Sequence, residues 1–265
     1  AEAPENKRIV IRGNIVVSRY RIDGTGLDIG ISLNTDEFKR LQGVDVVVEG
    51  NISIGALSVG AGFERVVVKN NIVVPQMFIG HNKSDLAPVK DIEVEGNIIF
   101  GSGSSIGVEI GDFSEKINFV SNILIQGNPG IRVRGKRVTI RGNYIYNNFY
   151  EAIDVQSSGT VVEGNWIIDD RSPADKSSRG IKVSNATDVV IRNNVIDGCT
   201  VAAIYARADT GYTSDRLVIE GNIIRNIYSQ YQAIYIQSNV CPTMCMIRNN
   251  LIDNVFHDTG SPRCI

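Results

Sequence analysis

Runs in which apolar and polar residues alternate recur along the whole chain, each broken by a Gly, Asn or Ser, then an Asn, then a second apolar run. Val138-Thr139-Ile140-Arg141-Gly142-Asn143-Tyr144-Ile145 is the clearest copy, and it returns at Val189–Ile196, Leu217–Ile224 and Cys245–Ile252. Ile9–Val16, Thr160–Ile167 and four copies ending at Ser53, Val73, Ile99 and Leu124 complete a set of ten. The repeated Asn residues are 14, 51, 71, 97, 122, 143, 165, 194, 222 and 250, spaced between 20 residues (51 to 71) and 37 residues (14 to 51). A period of two predicts strands, and a repeat near twenty predicts one turn of a coil whose neighbours stack on it. Gly or Asn at the bend suits positive φ. Asn at one position of successive coils predicts a hydrogen-bonded Asn ladder.

A further short strand follows each Asn-bearing unit, as in Gly107–Ile110, Gly130–Arg134, Ala152–Gln156, Gly180–Ser184, Ala203–Arg207 and Ala233–Gln237. Alternation turns the Ile, Val and Ala of these strands inward and leaves one outward residue per coil. The outward column reads Ser58, Phe78, Glu109, Arg132, Asp154, Lys182, Tyr205, Tyr235. The next, two positions on, reads Gly60, Gly80, Gly111, Arg134, Gln156, Ser184, Arg207, Gln237. The whole pattern resembles the right-handed parallel β-helix superfamily. This implies an all-β solenoid of about ten coils, residues 1–265 forming one domain, with loop insertions at 18–44 and 169–179.

Composition sharpens the picture little. A hydrophobic share of 43% and a net charge of −2 give no reason to expect nucleic acid or an anionic membrane as partner. No apolar run is long enough to span a bilayer as a helix. The first seven residues lack the apolar centre of a signal peptide, so none is expected there. Thr35–Leu41 has a helix-like start, with Asp36 and Glu37 near its N-terminal end. Residues 169–179 and 211–215 are polar and predict loops that wall a groove. Cys245 aligns with Leu217 and Val189 and is expected to point into the core. Cys241 and Cys264 either pair, which would suit an oxidising compartment, or remain free thiols. His81 and His257 stand apart from any Ser, Cys or carboxylate constellation and read as structural or surface groups.

Strands stack about 4.8 Å apart, so Arg132, Asp154, Lys182 and Tyr205, with Arg134 and Arg207 beside them, share one strip. Arginine forks pair with carboxylates and Tyr faces stack on sugar rings, so this strip suits an acidic polysaccharide. The strip resembles that of β-helical polysaccharide lyases of the chondroitinase B and alginate lyase type. Tyr150–Gln156 is distantly similar to the Tyr/Asp/His motif of mannuronan C5-epimerases. The resemblance implies β-elimination or C5-epimerisation of a uronate, with Lys182 as base and Arg207 or Tyr205 as acid. In this reading Asp154 flanks the base, while Arg132, Arg134, Glu109, Gln156 and Tyr235 hold substrate. It also implies Ca²⁺ as a cofactor used by many such enzymes, with no metal ligand assigned, and a secreted, periplasmic or virion-surface setting. Proton removal next to a carboxylate needs cations to neutralise the developing enolate and a base of tuned pKa, a role Arg207 and Arg132 would serve for Lys182. One alternative is a hydrolase using Asp154 and Glu109, estimated at about 9–10 Å between Cα atoms with Arg132 between them. Another is a non-catalytic β-helix, such as a homotrimeric fibre in which the strip is an interface.

Overall fold

The three-dimensional description is a computed structural model that describes residues 8–17, 29–33, 45–60, 62–80, 87–172, 178–229, 231–237, 240–241 and 243–257. Period-two alternation builds three parallel sheets that share one core. Sheet 1 holds ten strands in sequence order, from Arg8–Arg12 to Cys245–Arg248. Sheet 2 holds another ten, from Ile15–Val17 to Leu251–His257. Sheet 3 holds nine: Ile29–Leu33, Ala56–Val59, Met77–Ile79, Val108–Ile110, Ile131–Val133, Glu151–Val155, Arg179–Ser184, Ala202–Arg207 and Ile234–Ile236. Each coil visits the sheets in turn, and no helix occurs among the described residues.

The bend between sheets 1 and 2 is where sequence and geometry meet most closely. The residue before each repeated Asn has positive φ in all ten coils, from Gly13 (68°) through Ser121 (55°) to Asn249 (55°). This turn aims the following Asn inward. Each Asn Nδ2 then donates to the Oδ1 of the Asn in the next coil, over nine consecutive steps of 2.9 to 3.1 Å from Asn14 to Asn250. The same Oδ1 accepts the backbone N–H of the preceding Asn, as Asn71 does from Asn51 at 2.9 Å. A second Nδ2 bond reaches a backbone carbonyl of the coil before, as from Asn143 to Phe119 at 3.0 Å. The interior amides are almost wholly buried and yet fully partnered, which is the condition for keeping polar groups inside.

Two sequence expectations change. Within 18–44, expected as an insertion, Ile29–Leu33 forms the first strand of sheet 3, its Ser32 in register with Ser58; alternation over five residues was too short to stand out there. Cys245 is in register with buried Leu217, as alignment predicts, but it is exposed, because it lies on the last strand of sheet 1, where no further described coil covers the inward column. The helix-like start at Thr35–Leu41, His81, the side chain of His257, Cys264 with its pairing, the first seven residues and the middle of the 169–179 loop lie outside the described residues.

Candidate functional site

Sheet 3 presents the outward column in the expected register: Ser58↔Phe78↔Glu109↔Arg132↔Asp154↔Lys182↔Tyr205↔Tyr235. Ser184 pairs with Arg207 in the second column. Arg134 and Gln156 continue it through backbone bonds to Ile110 and Val133. All nine candidate site residues therefore share one face.

Asp154 lies at its floor, with only 2% of its side chain exposed. Lys182 Nζ approaches its Oδ1 at 3.3 Å, Arg132 Nε approaches Oδ2 at 3.6 Å, and Gln156 Nε2 donates to Oδ2 at 2.6 Å. Glu151 adds a second carboxylate, 3.5 Å from Lys182 Nζ and 3.0 Å from Arg179 Nη1. The Lys182 ammonium is thus paired with two buried carboxylates: Asp154, which the sequence places beside it, and Glu151, where the sequence suggests Arg207 and Arg132 as the charges that tune it. Arg207 is bound instead to Asp209. Glu109 is held by Arg134, which also reaches Asp112 at 3.7 Å, so Arg132 pairs with Asp154 alone of the two carboxylates it separates in the column.

These pairs differ in how tightly they are fixed. Asp154 and Glu151 are covered, but Asp209 and Asp112 are nearly half exposed. Exposed ion pairs contribute only about 0–1 kcal/mol, so an incoming carboxylate can replace Asp209 on Arg207 or Asp112 on Arg134 at little cost. Hydrogen bonds from Asn185, then the Arg207 guanidinium, hold the Asp209 carboxyl below the usual carboxylate range, so it is an anion at neutral pH. Asp154 Oδ1, Arg132 Nε and Ser184 Oγ make no hydrogen bond within the protein although buried. Asp154 Oδ1 and Arg132 Nε are met there by ion pairing, with Lys182 and with Asp154.

Three tyrosines continue the strip. The rings of Tyr205 and Tyr235 stack at 5.3 Å and those of Tyr231 and Tyr235 at 4.9 Å, while the Arg179 guanidinium lies 5.0 Å from the Tyr205 ring centre. A groove of about 520 Å³ runs beside Lys182, between Arg134 and Gln156 on one side and Arg207, Asp209 and Tyr212 on the other. Tyr212 belongs to the 211–215 loop, which supplies a wall as its composition predicts. Tyr231 enters from the opposite end of the strands.

Glu151, Arg179, Tyr231 and Asp209 were missed by sequence reasoning. Ala152 and Ile153 are both core residues, so strict alternation fails there, and Glu151 and Arg179 join the face three positions before Asp154 and Lys182. The Glu151↔Arg179 register, opposite charges on adjacent coils, is the signal that was available. Among the described residues no group of three or more His, Cys, Asp or Glu is arranged to hold a metal ion, and the strip carboxylates Asp154, Glu151 and Glu109 are each ion-paired with a side-chain cation. No helix among the described residues is long and apolar enough to cross a membrane.

The uncharacterised protein YclG of Bacillus subtilis (strain 168) is 28% identical over 224 residues, covering 80% of this chain and 35% of YclG. A double mutant of the periplasmic alginate epimerase AlgG superposes with a TM-score of 0.59 at 14% identity, over 81% of this chain and 51% of that one. AlgG without those changes gives 0.53 at 15% identity, over 81% and 50%. This chain spans about a third of YclG and about half of the AlgG structures, and at such identity the structural likeness concerns the fold. The profile described as the right-handed beta helix region matches residues 85–260, two thirds of the sequence and all the coils that carry the strip. By its repeat, its three parallel sheets and this match, the chain belongs to the right-handed β-helix family.

Proposed function

We propose that this protein acts on an acidic, uronate-containing polysaccharide laid along sheet 3, and that it breaks or inverts the uronate by removing its C5 proton. The observation that carries this reading is the pairing of Lys182 with Tyr205 on adjacent coils, with exchangeable arginine partners on both sides and stacked tyrosines beyond. Arg207 and Arg134 take substrate carboxylates, displacing Asp209 and Asp112. Tyr235 and Tyr231 offer ring faces to neighbouring sugars. Lys182 and Tyr205 handle the proton, Lys182 as base and Tyr205 returning it. Asp154 and Glu151 hold the Lys182 side chain, while Arg132 and Gln156 hold Asp154. Lys182 acts as base once its ammonium proton has passed to Glu151 as substrate enters. The fold likeness to AlgG, named an alginate epimerase, and its periplasmic setting agree with this class of substrate. A hydrolase built on Asp154 and Glu109 fits less well, since both carboxylates are ion-paired and neither is set up to carry the proton a general acid must give.

Incubation with alginate, pectate, chondroitin, dermatan and heparan tests the reading, with and without Ca²⁺. Product absorbance from an unsaturated uronate identifies a lyase. Solvent deuterium entering C5 without chain shortening identifies an epimerase. Lys182→Ala and Tyr205→Phe should each lower the rate at least about 100-fold, the usual worth of a positioned acid or base. Neither signal with any substrate, or full activity in both variants, would overturn the proposal.

A further inference from the structure

The three sheets share one core and one solvent, yet their outward faces are not alike. Sheet 3 shows charges and tyrosines, whereas sheet 2 shows hydrocarbon. The outward row of sheet 2 runs in register from Ile15 to Leu251, and each of its ten positions is apolar. Ile15 is 72% exposed, Trp166 52% and Leu251 60%. The next outward row, two positions on, stays apolar from Val17 to Ile168 before ending in Asp197, Arg225 and Asp253. The inward row between them, apolar except for Ser53, packs into the core and is partly buried only at its ends, Val16 and Ile252, so these strands are largely apolar on both faces. Parallel strands with that composition are ordinarily covered on both faces.

We propose that a second copy of this chain covers sheet 2, the two stripes packing face to face. Two observations select that occupant. The first is area. Nine strand spacings make the stripe about 43 Å long, and two outward rows with their side chains make it about 10 Å wide, hence on the order of 430 Å². With the polar row about 7 Å beside it, the face reaches about 730 Å², close to the roughly 800 Å² that each partner gives to a standard interface, with an apolar centre and a polar margin.

The second is the charge of that margin. The last outward residues of sheet 1 border the stripe and, but for Val120 at mid-row, alternate in sign along the coils from Arg12, Glu49, Lys69 and Glu95 to Arg192, Glu220 and Arg248. Many are already paired across coils, Arg12 with Glu49 at 2.6 Å, Arg192 with Glu163 at 2.6 Å and Arg248 with Glu220 at 2.6 Å. A margin that neutralises itself repels no identical margin, and a net charge of −2 adds little repulsion between whole chains. A cationic or anionic partner would be better matched by a row of one sign. A two-fold pairing of the same patch is also the commonest closed arrangement for identical chains.

Trp166 is the only tryptophan and sits in the middle of the stripe, so it reports its own cover. The protein would be diluted stepwise, following its mass by light scattering and sedimentation and its tryptophan emission. The expected result is a particle of twice the chain mass with blue-shifted, iodide-protected emission, which on dilution falls to the single-chain mass as emission moves to the red. The double variant Tyr144→Lys/Val195→Lys, changed on either side of Trp166 and outside the strip, should keep its β-sheet circular dichroism and sediment as a single chain. A single-chain mass at all concentrations overturns the proposal, whether Trp166 is exposed or is shielded by another part of the same polypeptide. A dimer in which Trp166 stays open to iodide overturns it equally, because the copies then meet elsewhere.

Discussion

Replacing Asn143 by alanine removes the middle of the Asn ladder, and the cost can be worked from its contacts. The side chain accepts from the backbone N–H and the Nδ2 of Asn122, at 2.9 and 3.1 Å, and donates to Asn165 Oδ1 and Phe119 O, at 2.9 and 3.0 Å. At about 1 kcal/mol net for each bond, the loss is about 4 kcal/mol. Some partners recover: Asn122 Nδ2 keeps Val94 O and Val120 O, and Asn165 Oδ1 keeps the backbone N–H of residue 143. The Asn122 N–H and the Phe119 carbonyl lose this partner in the interior, which works in the other direction. An expected loss of about 3–5 kcal/mol is large against the 5–15 kcal/mol that typically holds a domain. Asn14→Ala is the internal control. It removes two bonds at the partly open first coil, to Asn51 Oδ1 and Arg12 O, and should cost about 1 kcal/mol or less. Urea unfolding at fixed protein concentration, followed by Trp166 emission and circular dichroism, compares the two. Equal costs at both positions would show that the ladder records coil stacking without contributing to it. A reduced urea slope in Asn143→Ala would mean that the coils on either side unfold separately.

Three further outcomes follow from particular contacts. A Cβ on Gly180 would lie 2.5 Å from Ala203 O and 2.7 Å from Ile196 Cγ2, so Gly180→Ala should lower stability by about 1–3 kcal/mol by urea titration and displace the strand that carries Lys182. The Asp215 carboxylate, hydrogen-bonded by the Thr243 hydroxyl and the backbone N–H groups of Thr243 and Met244, is held well below its ordinary pKa. A depressed folded pKa contributes stability above the unfolded value near 4 and loses it as pH falls further. The protection of Cys245–Arg248 against hydrogen exchange, relative to the intrinsic rate at each pH, should therefore fall below about pH 4 in the native protein, while Asp215→Asn should already be less protected at neutral pH and respond less to acid. Burial, then a hydrogen bond with Cys245, pushes the Cys241 thiol up to about 12, whereas Cys245 is exposed and Cys199 is buried. Alkylation of the folded protein at mildly alkaline pH should mark Cys245 well before Cys199 or Cys241, as read by peptide mapping.

Legibility in the sequence followed the local rules that each part of the structure obeys. The ladder and the sheet 3 columns could be read residue by residue, because one positive-φ bend per coil fixes register and period two fixes the facing. Glu151 and Arg179 escaped because Ala152 and Ile153 both turn into the core, and a pattern that assumes period two then places their neighbours on the wrong face. Asp209 and Tyr231 escaped because they stand on turns, where neither alternation nor register applies. Lys182 sits on its strand beside Asp154 as expected, but charge partners depend on side-chain reach, so Glu151 joins it in place of Arg207, which turns to Asp209. Cys245 shows the remaining gap: inward register implies burial only when a further coil lies over it.

The Asn ladder also has a direction. Each of the nine steps sends one Nδ2–H to the next coil toward the C-terminal end, while the Oδ1 that receives it faces back toward the N-terminal end; the other Nδ2–H turns to a backbone carbonyl. Aligned amide dipoles add, as they do along an α-helix, and neighbouring hydrogen bonds polarise one another. The solenoid therefore carries an axial polarity quite separate from its formal charges, positive toward Asn250 and negative toward Asn14. A coil stacked beyond Asn250 must offer an acceptor, and one stacked before Asn14 must offer a donor. Two such columns can be extended head to tail, but joining like ends would set donor against donor or acceptor against acceptor along the axis.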